Sequence, residues 1–152
     1  VRRLAQLTQR TNQFNSSAIR LSELDIKKII KDPKKMIYQC SAKDKFGDYG
    51  IIGLAIIELA SRSALVTNFL MSCRALGREI ENNFFEYFIN EIKKSKINEC
   101  TILFKKNNKN MLVESFLKKN CKKFKKSNKF EYYQVNISNK KNNQNLMKII
   151  NG

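Results

Sequence analysis

Cys73, Arg74, Gly77 and Arg78 lie within six residues of one another, between an apolar run and an amphipathic one. A thiol, two guanidiniums and a glycine so placed suit two chemistries. The first is anion binding. Where a strand passes into a helix, the leading backbone N–H groups lack helical partners and the helix dipole is positive, so a phosphate can be held there with help from arginine. The second is nucleophilic. A cysteine beside two arginines at a helix start gains thiolate character, and could act as a nucleophile that forms a covalent intermediate. Each reading has a plainer alternative: cysteine is also a small apolar core residue, and Arg74 or Arg78 can pair with Glu79 or Glu81 on the surface. A second polar group, Thr11, Asn12, Gln13 and Asn15, either faces a ligand with donors and acceptors or forms a solvated linker.

These residues need a strand, a turn and a helix to position them. In the stretch Ala64 to Met71, Val66, Asn68 and Leu70 alternate with Thr67, Phe69 and Met71, which predicts a strand covered on both faces. After Gly77, the residues Ile80, Phe84, Phe85, Phe88, Ile89 and Ile92 form one apolar stripe, so a helix is expected from about Glu79 to Lys94. Ile51 to Leu59 reads as the antiparallel partner of the strand, joined to it by the polar turn Ala60 to Ser63. Met36 to Ala42 adds a third strand, and Lys43 to Gly50 carries the residues of a turn.

Upstream, a short helix is expected from Leu4, then a short strand from Ser16 to Arg20. Ser22, with Asp25 three residues on, predicts a capped helix whose apolar face is Leu24, Ile26, Ile29 and Ile30 and which ends before Pro33. Downstream come a strand at Glu99 to Phe104, a helix from about Asn110 bearing Met111, Leu112, Phe116 and Leu117, and a strand at Phe130 to Ile137. Lys118 to Lys129 reads as a solvated helix end and loop, or as a basic track for nucleic acid or an acidic protein.

At 152 residues and 42% hydrophobic content the chain suits one folded domain. Thirty basic against thirteen acidic residues give a net charge of +17, which favours polyanionic partners unless the lysines merely fill exposed positions. The chain has no histidine, and Cys40, Cys73, Cys100 and Cys121 lack paired spacing. A His-based triad and a structural zinc site are therefore excluded, no metal is expected in this domain, and free thiols suit a cytoplasmic location. No run is long enough for a membrane span.

The strand, turn and helix around residues 68–92 resemble the acyl-coenzyme A site of the GNAT acetyltransferase fold, whose turn runs Arg/Gln-x-x-Gly-x-Gly/Ala. More narrowly, Ala5 to Asn15 (AQLTQRTNQFN), Asp44-Lys-Phe-Gly-Asp48 and Leu70 to Arg78 (LMSCRALGR) resemble the C-terminal part of FkbH-like proteins. The resemblance implies an α+β, GNAT-like fold: a mixed, mostly antiparallel sheet with helices on both faces. It implies a segment at 1–15 joining to an upstream HAD-like domain, a GNAT-like domain at 16–138 and a mobile tail at 139–152. The opening Val1-Arg2-Arg3, without methionine, fits a piece of something longer.

The function so implied is transfer of a glyceryl or acyl unit to the phosphopantetheine thiol of an acyl carrier protein, an acidic partner suited to a basic surface. Coenzyme A or the carrier's phosphopantetheine would be held by Arg74, Leu76, Gly77 and Arg78, and the substrate by Thr11, Asn12, Gln13, Asn15 and Asn110, with Cys73 as the candidate nucleophile. The chain departs from the GNAT pattern at three places. Glu79 stands where the turn has Gly or Ala, Leu117 where many members have a tyrosine that protonates the departing thiolate, and Asn120-Cys-Lys122 where Leu-Gly-Phe is frequent.

Overall fold

The computed structural model describes residues 1–137. Its elements are α1 (Arg2–Arg10), α2 (Glu23–Lys31), β1 (Lys35–Asp44), β2 (Gly47–Ala60), β3 (Ser63–Met71), a 3₁₀ turn (Cys73–Ala75), α3 (Ile80–Lys94), β4 (Glu99–Phe104), α4 (Met111–Asn120), β5 (Lys122–Lys126) and β6 (Glu131–Val135). The six strands form one sheet in the order β1-β2-β3-β4-β6-β5. β3 and β4, joined through α3, are parallel, and the other neighbours are antiparallel. That is the mixed, mostly antiparallel sheet expected.

Two apolar cores lie on opposite faces of the sheet. The larger joins Val66, Phe69 and Met71 of β3 to the α3 stripe and to Val113, Phe116 and Leu117 of α4. The smaller joins Leu4, Ala5 and Leu7 of α1 and Ile26 of α2 to Leu54, Ile56 and Leu70. The α3 stripe does what its period predicts: Phe84, Phe85, Phe88, Ile89 and Ile92 are all buried. Gly53 lets this packing close, because a Cβ there would lie 2.5 Å from Met71 Sδ and 3.2 Å from Phe84.

The structure departs from the sequence reading in four places. Ser16 to Arg20 is not a strand; Asn15 makes a single antiparallel bridge to Leu70, and the residues after it are held by side-chain hydrogen bonds. Lys122–Lys126, read as loop, is the edge strand β5, paired with β6 through backbone groups while all five residues stay exposed. The last strand is shorter than Phe130 to Ile137. In α2 the capping box of Ser22 and Asp25 is present, but Leu24 and Ile30 face solvent, leaving Ile26 as the buried anchor. The proposed tail from Asn139 lies outside the described residues.

Residues 1–15 pack as part of this fold. The parallel pairing of β3 with β4 runs from Ser63↔Glu99 to Val66↔Ile102, and beyond it the strands diverge. Phe14 to Ser16 bridges the gap. Met71 N–H donates to Phe14 O at 2.9 Å, Ser16 N–H to Phe69 O at 2.9 Å, and Lys105 N–H to Ser16 O at 2.8 Å. The Phe14 ring fills the space between the strands, edge-on to Phe69 at 5.2 Å and to Phe116 at 5.3 Å.

Candidate functional site

The carboxyl end of β3 delivers the chain into a tight turn. Ser72 N–H donates to Ile52 O at 2.6 Å, and Cys73–Ala75 closes a single 3₁₀ turn. Gly77 has φ of +84°, a left-handed conformation that glycine adopts freely. Glu79, the N-cap of α3, is also left-handed at φ +61°, which costs a side-chain-bearing residue of the order of 1 kcal/mol. Glu79 offsets part of the cost locally, its Oε2 accepting from Asn82 Nδ2 at 2.7 Å.

An acidic side chain already uses the turn. Gly77 N–H donates to Glu81 Oε1 at a long 3.4 Å, while Glu81 Oε2 is buried without a hydrogen-bond partner among the described residues. The carboxylate therefore rests at an N–H able to donate to an oxyanion, but is poorly satisfied there.

The two arginines have different roles. Arg78 Nη1 donates to Asp44 Oδ2 at 3.1 Å, and the guanidinium lies 5.8 Å from the centre of the Tyr49 ring. Asp44 also accepts from Phe46 N–H (2.8 Å), Gly47 N–H (3.2 Å) and Tyr49 Oη (3.1 Å). These bonds, the one from Phe46 N–H first, hold the Asp44 carboxyl below the usual carboxylate range. Asp44-Lys-Phe-Gly-Asp48 is therefore the β1–β2 hairpin turn and a latch onto Arg78. Arg74 is exposed and makes no ion pair among the described residues. Leu76 is half-buried against the larger core.

Cys73 is exposed, with Sγ 3.6 Å from Gln13 Oε1, so the reading of a buried core cysteine does not hold. Cys40 and Cys100 are buried instead, and burial pushes their thiols up to about 11 and about 12. Of the polar residues expected to meet substrate, Asn12 and Gln13 are at the surface. Asn12 Oδ1 accepts from Arg20 Nη2 at 2.6 Å, and Arg20 also reaches the carbonyls of Thr8 and Thr11.

Thr11, Asn15 and Asn110 are buried, so a solvated linker does not describe Thr11 or Asn15, and the two asparagines spend their side-chain amides on the chain itself. Asn15 Nδ2 donates to Thr11 O at 3.1 Å and its Oδ1 accepts from Ala18 N–H at 3.1 Å. Asn110 Nδ2 donates to Lys105 O (2.8 Å) and Asn15 O (3.3 Å), and Oδ1 accepts from Asn107 N–H at 3.0 Å. One amide thus ties the end of β4, the start of α4 and the N-terminal segment together. Leu117 is fully buried, so this position offers no proton donor.

No protein-family model matches the sequence, and no curated protein matches it. Solved structures do match the fold. The ribosomal-protein-S18-alanine N-acetyltransferase of Escherichia coli superposes with a TM-score of 0.62 at 12% identity, over 94% of this chain and 91% of that one. An acetyltransferase from Thermus thermophilus gives 0.58 at 11% identity, over 87% and 80%. A GNAT-family acetyltransferase from Elizabethkingia anophelis, with acetyl-CoA bound, gives 0.56 at 11% identity, over 75% and 82%. The chain has the GNAT fold. At these identities the likeness establishes the architecture, and function must be argued from the site.

Proposed function

We propose that this chain is an acyltransferase-type domain that holds coenzyme A, or the phosphopantetheine of an acyl carrier protein, by its phosphate at the Ser72 to Arg78 turn. The observation that carries the reading is Glu81, whose carboxylate rests at Gly77 N–H and leaves its other oxygen unsatisfied. An arriving phosphate would take over that N–H, add the charge of Arg74, and release Glu81 to water. The acetyl-CoA-bound relative in fold supports the ligand class. Calorimetric titration with coenzyme A tests it: Arg74→Ala weakens binding about tenfold, as loss of one charge-assisted contact should, and Glu81→Gln tightens it a few-fold. Unchanged affinity in both variants would remove the turn from the site.

The finer reading, that of an FkbH-like enzyme, assigns transfer of a glyceryl or acyl unit to a carrier protein, with an upstream HAD-like domain in the full protein. Leu117 argues against a free-standing N-acetyltransferase that protonates its leaving thiolate from α4. Cys73 is the one exposed cysteine and lies beside Arg74. In this reading its sulfur bonds to the acyl carbon as the donor's bond to that carbon breaks, and the thiol proton goes to the departing group. The carrier thiol then attacks the same carbon, the bond to Cys73 Sγ breaks, and the carrier's thiol proton returns to Cys73. Transfer to carrier protein falls to background in Cys73→Ala of the full-length enzyme; full activity would exclude the covalent step.

A second reading rests on β5. Its four lysines are exposed along a sheet edge, which suits an acidic protein or a nucleic-acid backbone without any transfer chemistry. The lysine-rich edge also protects an unpaired strand from association, so the basic surface has a structural purpose of its own.

A further inference from the structure

A cavity of about 190 Å³ opens between the β1–β2 hairpin and the anion-binding turn. Its apolar wall is Ala42, Ile52, Ala75 and Ile80, with Tyr49 beside them. Its charged wall is Lys43, Arg74, Arg78 and the single carboxylate Asp44. The charges are not equivalent. Asp44 accepts four hydrogen bonds, from Phe46, Gly47, Tyr49 and Arg78, so its acceptor capacity is filled and its charge is matched by Arg78. Lys43 and Arg74 form no ion pair among the described residues. The cavity thus joins an apolar interior to two uncompensated cations.

From this we infer that the cavity is a binding site for a small organic acid: a carboxylate on a short aliphatic stem, the stem lying against Ile52 and Ile80 and the carboxylate meeting Lys43 and Arg74. The volume is that of about six waters at ~30 Å³ each, which a carboxylate on a stem of about four carbons fills. A bare inorganic anion leaves the apolar wall unused. The hairpin that roofs the site is tied to the turn by Asp44 and Arg78, so the site is built before ligand arrives. This inference goes beyond the coenzyme A reading and does not depend on it; the two sites share Arg74, and Lys43 belongs to the cavity alone.

The test uses the full chain and pentanoate, with pentanol and inorganic phosphate as controls, followed by NMR at the Ile52 and Ile80 methyls. Pentanoate shifts both saturably, with a dissociation constant on the order of millimolar for so small a ligand. Pentanol moves these methyls far less, and inorganic phosphate, which the turn itself would hold, moves the Ile52 methyl far less. Ala42→Leu, which narrows the cavity from β1, and Lys43→Gln each weaken pentanoate at least fivefold while coenzyme A binding at Gly77 is unchanged. Equal shifts with pentanol, no saturation, or unaltered pentanoate binding in both variants would overturn the inference. If coenzyme A leaves the turn unmoved while pentanoate binds, the proposed function fails and the cavity assignment stands.

Discussion

Arg74 and Arg78 are four residues apart and chemically identical, yet the fold gives them separate roles. Nothing near Arg78 in sequence says that it will be claimed by Asp44, which is 34 positions away. The turn residues were legible because their chemistry is local: Gly77 takes a left-handed conformation where the pattern asks for glycine. The same holds for Glu79, whose misfit is visible in sequence and appears as a left-handed non-glycine residue. Asn15 and Asn110 misled for the opposite reason, since buried amides satisfied by backbone, nearby for Asn15 and 95 positions away for Asn110, look in sequence like amides waiting for a ligand. The latch has a pH signature. A carboxyl held below its unfolded value contributes stability that is fully present above that unfolded value, about 3.9, and is lost as pH falls through the folded one. Acidification into that window therefore frees Arg78 and loosens the hairpin, seen as loss of a protected Arg78 guanidinium N–H signal; Asp44→Asn should abolish the pH dependence of that signal.

At the scale of elements, strong periodicity carried the reading and weak periodicity defeated it. The α3 stripe and the β2–β3 hairpin follow from spacing alone, because each buries a continuous apolar face. β5 could not be found this way. Lys-Lys-Phe-Lys-Lys has no buried face to alternate, and only its backbone bonds to β6 make it a strand. The N-terminal segment failed similarly, with one large apolar residue among amides and hydroxyls. That residue decides the matter: Phe14 is 2% exposed and packs on Phe69 and Phe116. Phe14→Ala should destabilise the protein by about 3–5 kcal/mol in denaturant unfolding, as for other buried aromatic truncations. A change within about 0.5 kcal/mol, as expected of a surface linker, would show that the segment is not part of the core.

The whole molecule has a GNAT architecture, and the strand–turn–helix at residues 63–94 lies within it. The space between the diverging β3 and β4 is closed by Phe14 to Ser16, Leu117 of α4 is buried, and a carboxylate stands at Gly77 N–H. What persists is the strand–turn–helix, Arg74 outside any ion pair among the described residues, and the cavity beside it. The net charge of +17 would draw any polyanion towards the molecule, so binding alone proves little unless it is located and survives salt. The most direct measurement is an amide NMR titration with coenzyme A at moderate salt. The account predicts shifts centred on Ser72 through Ile80, with Glu81 released from Gly77, and about tenfold more coenzyme A needed to reach them in Arg74→Ala. Shifts confined to Lys122–Lys126 and abolished by salt would contradict it, leaving the turn a structural remnant and the basic edge the binding surface.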